Sequence, residues 1–217
     1  MWRNNMANGY GRMTHANGDV YEGYWKNDKA CGIGVFADTS GAMYRGEWLD
    51  DIQHGYGEES WDQGSTKYSG AFYKGKKNGH GKFEWEDGSY YDGDFVNGQF
   101  EGRGKYFFAD INKTYEGEFR NSNMEGKGRE EWSDGKRYIG DFKNGIKDGE
   151  GTYEWPNGKK YIGSWKNNKQ HGNGVMVDME TKQKRQGEWK EGKRLKWLSS
   201  NEMHQNSSPV RKEVSKV

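Results

Sequence analysis

Branched aliphatic residues are in short supply in this 217-residue chain: hydrophobic residues make up 30% of it, against roughly 45–50% in typical globular domains. Mean hydropathy is −1.31, and a thick aliphatic core is excluded. Proline is nearly missing, with two residues, and the single cysteine, Cys31, rules out an internal disulfide, which agrees with a reducing compartment. No apolar run nears the roughly 20 residues needed to span a bilayer as a helix. The opening MWRNNMANGY lacks the apolar stretch of a signal peptide. A cytoplasmic location is the expectation. Charge of one sign is lacking too, the net being +1, while aromatic residues reach 15%. Those two facts oppose the disorder that aliphatic poverty would otherwise predict. The length allows one large or two small domains, folded around rings.

What is present is a repeat. Units open at Tyr21, Tyr44, Tyr68, Tyr91, Tyr115, Tyr138 and Tyr161, every 23 or 24 residues, so that seven copies fill residues 21–185. The third position is glycine (Gly23, Gly46, Gly70, Gly93, Gly117, Gly140, Gly163). The fifth is aromatic (Trp25, Trp48, Phe72, Phe95, Phe119, Phe142, Trp165), and a Gly-x-Gly pair follows at positions twelve and fourteen, as in Gly79/Gly81 and Gly149/Gly151. Residues 1–20 read as a partial copy with Trp2 in the aromatic slot and Gly9-Tyr10-Gly11 as its pair. Residues 186–198 read as another, with Gln186 in the tyrosine slot, then Gly187 and Trp189 and a basic end. Residues 199–217 read as a disordered tail.

Tyr-x-Gly-x-aromatic sets its three special side chains at i, i+2 and i+4, one face of a strand. Gly81, Phe83 and Trp85 do the same, as do Gly151, Tyr153 and Trp155. Each unit therefore predicts two strands, with turn signals between them (Asn97-Gly98, Asn144-Gly145) and after them (Asp87-Gly88, Asp134-Gly135, Asn157-Gly158). A helical reading fails, because each of 34 glycines would cost about 1 kcal/mol relative to alanine inside a helix. Regular glycines in strands require a reason. The simplest is that a neighbouring ring lies over each bare backbone. The opposite face is mostly charged. Asp92 and Asp94 are expected to face Arg103 and Lys105, and Glu116 and Glu118 to face Lys127 and Arg129, each pair contributing about 0.2–1 kcal/mol.

The phrase Tyr-x-Gly-x-(Trp/Phe)-x-Asn-(Gly/Asn), then Gly-x-Gly, then Asp-Gly, resembles the MORN (membrane occupation and recognition nexus) repeat, over residues 1–198. That resemblance implies an all-β fold: an elongated, twisted, single-layer antiparallel sheet of tandem β-hairpin (MORN) repeats. About sixteen strands at about 4.8 Å give a length on the order of 75 Å. Some units depart from the pattern. Positions sixteen and eighteen are both aromatic in Phe83/Trp85, Tyr106/Phe108 and Tyr153/Trp155, but are Phe36/Asp38 early and Met176/Asp178 late. Asp110-Ile111-Asn112-Lys113 and the stretch from Met179 to Arg185 replace the Asp-Gly turn, and are places for altered twist or a longer loop. The chain begins inside a repeat, so either a truncated strand caps the sheet or the sequence is cut from a longer one.

No catalytic constellation is visible. His15, His54, His80, His171 and His204 are scattered, with neither HExxH nor paired cysteines to hold a metal. The Gly-x-Gly pairs lack the third glycine and following helix of a dinucleotide site, and no cofactor or metal is expected. Two features carry binding. One is the aromatic stripe of Tyr68, Phe72, Phe83, Trp85, Tyr91, Phe95, Tyr106, Phe108, Tyr115, Phe119, Trp132, Tyr138, Phe142, Tyr153, Trp155, Tyr161 and Trp165, since contiguous exposed apolar surface marks a partner site; a helix in the groove or a second copy of the chain would cover it. The other is the basic cluster Lys182, Lys184, Arg185, Lys190, Lys193, Arg194 and Lys196, a candidate for anionic phospholipid or an acidic protein. Nucleic acid is not expected, because no separate basic face accompanies the rings. The expectation is a non-enzymatic scaffold. Similar arrays imply a cytoskeletal setting such as the ciliary axoneme and its radial spokes, or else a membrane-docking module, or a regulatory region like those attached to lipid kinases and a lysine methyltransferase.

Overall fold

The computed structural model describes residues 2–3 and 6–199, the first two by backbone alone. The expected tail beyond Ser199 and the Trp2 side chain lie outside the described residues. The chain divides into two compact units, 1–133 and 134–217. In the first, β1 (Trp2–Arg3) and β2 (Met6–Ala7) form a small ribbon. One antiparallel sheet follows: β3 (Gly9–Thr14), β4 (Val20–Lys26), β5 (Lys29–Ala37), β6 (Met43–Leu49), β7 (Ile52–Trp61), β8 (Thr66–Tyr73), β9 (Lys76–Glu84), β10 (Tyr90–Val96), β11 (Gln99–Phe108), β12 (Lys113–Arg120) and β13 (Asn123–Trp132). The second unit holds β14 (Arg137–Lys143), β15 (Ile146–Glu154), β16 (Lys159–Lys166), β17 (Lys169–Asp178), β18 (Lys184–Lys190) and β19 (Lys193–Trp197). Within each unit these strands pair with their sequence neighbours, so each sheet is open and grows one hairpin per repeat. The only helical turn among the described residues is the 3-10 turn Asp62–Gly64.

The core is a ladder of rings. The seven tyrosines that open the repeats are at most 3% exposed. Each lies over a facing glycine pair: Gly93 is opposite Gly104, and a Cβ on Gly104 would stand 2.5 Å from both Cε2 and Oη of Tyr91. Glycine is required there by the ring, as the spacing predicts. The phenol is satisfied locally, because Tyr91 Oη donates to the Asp94 carbonyl at 2.9 Å and the other six donate likewise three residues on. Edge-to-face contacts then join repeats. Tyr91 meets Phe95 of its own repeat and Phe119 of the next at centroid distances of 5.2 and 5.1 Å, with Phe100 stacked on its face at 3.8 Å. In the second unit Tyr138 meets Phe142 and Trp165 in the same way. Such pairs add about 0.5–1.5 kcal/mol each beyond burial. One hairpin alone has only half of its partners.

The turns also tie repeats together. Asn97 and Gly98 both take positive φ (51° and 83°), the type I′ geometry that suits a two-residue hairpin. The Gly98 N–H then donates to the Lys77 carbonyl of the preceding repeat at 2.8 Å. The seventh repeat carries the longer loop, closed by Asp178 N–H donating to Gln183 O at 2.9 Å.

The opposite, outer face carries the charges, with one correction to the expected pairing. Asp92 faces Lys105 and Glu116 faces Arg129 as predicted, but Asp94 and Glu118 do not face Arg103 and Lys127. A bulge intervenes: Gly93 pairs with Gly104 and Phe95 with Phe100, so Glu101, Gly102 and Arg103 oppose the single Asp94. Gly102 takes a φ of +67° there. Carboxylates at this fourth position cap the bulge instead. Glu47 accepts from the Tyr56 N–H at 2.8 Å, Glu118 from the Lys127 N–H at 3.2 Å, and Asp141 from the Glu150 N–H at 2.8 Å. A second correction concerns the last partial copy. Gly174 pairs with Gly187 and Met176 with Arg185, whereas Met176 pairs with Tyr161 on its other side. Arg185, not Gln186, therefore holds the tyrosine slot.

Candidate partner-binding surface

The structure divides the predicted stripe in two. Tyr68, Phe72, Tyr91, Phe95, Tyr115, Phe119, Tyr138, Phe142, Tyr161 and Trp165 are at most 7% exposed. They form the ladder, and their surfaces are used on one another, which removes them as contacts for a partner. Phe83, Trp85, Tyr106, Phe108, Trp132, Tyr153 and Trp155 are half-buried and make a second, outer row.

In the first unit that row is continuous. Trp61 stacks on Phe83 at 5.7 Å, Phe83 meets Trp85 at 4.7 Å, Trp85 meets Tyr106 at 5.2 Å and Tyr106 meets Phe108 at 4.3 Å. Burial, followed by nearby Asp87 and Asp110, pushes the Tyr106 phenol pKa up, so the row stays neutral. Where position sixteen is a carboxylate, a lysine covers it. Lys77 Nζ lies 2.5 Å from Glu59 and 4.8 Å from the centre of the Trp61 ring. Lys113 Nζ lies 2.6 Å from Glu130 and 4.3 Å from the Phe108 ring. The ring face thus presents aromatic surface with its charges internally matched.

Hollows open on the ring face. In the first unit a hollow of about 600 Å³ is lined by Met13, Trp25, Phe36 and Trp48 among others. Near Asp178, in the second, one of about 490 Å³ is lined by Trp155, Met176, Arg185, Trp189, Arg194 and Trp197. Trp25, Phe36, Trp48, Trp61 and Trp197 were missed by the stripe read from sequence, which followed ring density. All seven residues of the basic cluster are exposed. Arg185 and Arg194 place their guanidinium carbons 4.2 and 4.1 Å from the Trp197 ring centre, which commits two of the seven to the ring face. Among the described residues no group of three or more His, Cys, Asp or Glu is placed to hold a metal.

With this geometry in place, comparison with known proteins identifies the class. The MORN repeat family model matches residues 1–20, 21–43, 44–66, 68–90, 91–110, 115–137, 138–160, 161–178 and 186–194. The chain belongs to the MORN repeat family. No curated protein matches it. Among solved structures, it is similar to the TCP domain of SAS-4 (dCPAP) of Drosophila melanogaster, solved in complex with a proline-rich motif of Ana2 (dSTIL), at 13% identity and a TM-score of 0.44 over 72% of this chain and 90% of that one.

Proposed function

We propose that this protein is a non-enzymatic scaffold whose ring face binds partner proteins, within a cytoskeletal assembly such as the ciliary axoneme. The observation that supports this is the outer row from Trp61 to Phe108: a continuous run of half-exposed rings on a sheet whose stability is already supplied by the buried ladder. An amphipathic helix laid along the row covers it with anchors at i, i+3 and i+4. Crosslinking mass spectrometry on protein isolated gently from its native cells tests the reading. Crosslinks from Lys77 and Lys113, the lysines of the ring face, to one helical segment of another protein are expected. Crosslinks confined to the chain itself, with no co-purifying protein, overturn it.

A second reading, docking to anionic phospholipid, is favoured by the exposure of all seven bases beside the 57% exposed Leu195. Flotation with phosphatidylserine vesicles, before and after changing the seven bases to glutamine, decides it. Binding that survives the change eliminates this mechanism.

A further inference from the structure

The outer face differs between the two units in one row of side chains. In the first unit the row that crosses β3 to β13 reads Arg12, Glu22, Val35, Arg45, Glu58, Ser69, Lys82, Asp92, Lys105, Glu116, Arg129. No two like charges are neighbours, so the row is fixed in register and well solvated. In the second unit the corresponding row is Ile139, Thr152, Ile162 and Val175, ending on β18 at Gln186. Ile139 and Ile162 remain 47% and 46% exposed. Four adjacent β-branched residues on an outward sheet face are what an inner sheet face looks like.

The rows on either side of this apolar row carry opposite charge. On one side lie Arg137, Glu154, Lys160, the buried Val177 and Lys184, where Lys160 Nζ and Glu154 are 2.5 Å apart, leaving a positive balance. On the other side lie Asp141, Glu150, Ser164, Asn173 and Glu188, with Asp141 accepting from the Glu150 N–H and Glu150 from the Ser164 hydroxyl; Lys196 of β19 stands opposite Glu188, and the balance of the row stays negative. A surface ordered positive, apolar, negative is complementary to itself. Turned over about a two-fold axis running along the apolar row, a second copy brings its basic row against the first copy's acidic row and its isoleucines against the same isoleucines.

We propose that the outer face of the second unit is a homodimer interface, in which two copies of this chain pack sheet to sheet through Ile139, Thr152, Ile162 and Val175. This goes beyond the scaffold reading, because it uses the other face of the sheet and stands whether or not the ring face has a partner. The size of the patch sets the expected strength. Five strands at about 4.8 Å by three side-chain rows along the strands give about 450–500 Å² per copy. Both copies together bury about 900–1,000 Å², below the roughly 1,200–2,000 Å² of stable specific interfaces and in the range of weak, transient ones, so a weak dimer in the micromolar range is expected.

Sedimentation velocity of the full chain from about 1 to 100 µM, the range that such an interface calls for, reads the mass. The expected result is a shift from one to two chain masses across that range. Ile162→Lys is expected to raise the dimer dissociation constant more than about tenfold, the equivalent of about 1.4 kcal/mol, with unchanged circular dichroism because the residue is exposed. Two charge variants test the geometry: Glu150→Lys with Glu188→Lys, and Lys160→Glu with Lys184→Glu. Each alone is expected to remain monomeric, and an equimolar mixture to form a heterodimer. A wild-type chain that stays monomeric at 100 µM overturns the proposal, as does one that dimerises only after residues 200–217 are removed, which would make that segment the occupant. A dimer indifferent to Ile162→Lys overturns it as well, and so does a mixture of charge variants that stays monomeric.

Discussion

Replacing Gly104 by alanine tests the reason for the glycines. In a strand interior the change ordinarily helps, by about 0.5–1 kcal/mol, because alanine loses less freedom on folding. Here the new Cβ would stand 2.5 Å from Tyr91 Cε2 and Oη. The ring has nowhere to go, being 0% exposed, with Phe100 stacked on it at 3.8 Å and Phe95 and Phe119 at its edges. Overpacking a close-packed site costs about 1–3 kcal/mol. If the ring yields, its hydrogen bond to Asp94 goes too, another 1 kcal/mol or so. Less the ordinary gain, the expected net effect is a destabilisation of about 1–3 kcal/mol, opposite in sign to the usual one. Because repeat arrays respond locally, hydrogen exchange of peptides from β10 to β12 is the assay, with peptides from β4 to β6 as the internal control. Tyr91→Leu supplies the second side of a double-mutant cycle: in that background Gly104→Ala should be neutral or stabilising, giving a coupling of at least about 1 kcal/mol. An equal effect of Gly104→Ala in both backgrounds would refute the ring-seat argument.

Burial raises the tyrosine pKa from 10.0, to about 12 for Tyr21 and Tyr161; the folded chain therefore keeps phenolic protons that the unfolded chain releases, so stability is fully present below pH 10 and is lost as pH rises through 12. Tyrosinate absorbance and circular dichroism should then change together in one cooperative alkaline transition; ionisation of these phenols with the sheet signal intact would count against it. Lys77→Met leaves the Glu59 carboxylate, whose side chain is 17% exposed, with the Gln53 amide at 3.0 Å as its remaining hydrogen bond, and is expected to cost about 2–3 kcal/mol, most of it recovered by adding Glu59→Met. Urea midpoints read both variants, and equal midpoints for the single and double variants would argue against a paired charge. Trp85→Ser with Phe108→Ser removes two half-buried rings and leaves the ladder intact; the expected outcome is loss of crosslinked protein partners with exchange protection of Tyr91 and Tyr115 retained.

How much of this was legible in the sequence depends on how regular the physical cause is. Hairpins, turns and glycine seats recur at fixed positions, and seven copies make them visible: Tyr91 over Gly104 of the neighbouring strand is the arrangement that the spacing predicts, whereas its cover of Gly93 on its own strand is seen only in the structure. The bulge was not visible. Gly102 looks like one more glycine of a pair, but it is the left-handed residue that lets three residues face one, and a strict period of two cannot reveal such an insertion. The same blindness misassigned Asp94 and Glu118. The stripe was legible as a set of rings but not as two layers, because burial of Tyr91 depends on Phe119 from the next repeat, a contact set by stacking rather than by local pattern. Arg185 was missed because the tyrosine slot was sought by residue type; register against Met176 finds it.

The two layers of rings differ in how far they vary from repeat to repeat, and that difference follows from their geometry. In all seven repeats positions one, three and fourteen are tyrosine, glycine and glycine, and position five is tryptophan or phenylalanine. A Cβ at the fourteenth position would stand 2.3–2.5 Å from its tyrosine hydroxyl at Gly34 and Gly57 as at Gly104, so nothing larger is admitted. Position sixteen, one side-chain row further out, is Phe36, Glu59, Phe83, Tyr106, Glu130, Tyr153 or Met176, and its carboxylates are accommodated by a lysine one or two strands away. The outer face varies just as widely, from the alternating charges of Asp92, Lys105 and Glu116 to the apolar Ile139 and Ile162. A fold held by an inner ladder that tolerates no change leaves both of its outer layers free to change. Surface chemistry is thereby separated from stability, which is the condition under which one repeated hairpin can present different faces to different partners along a single chain.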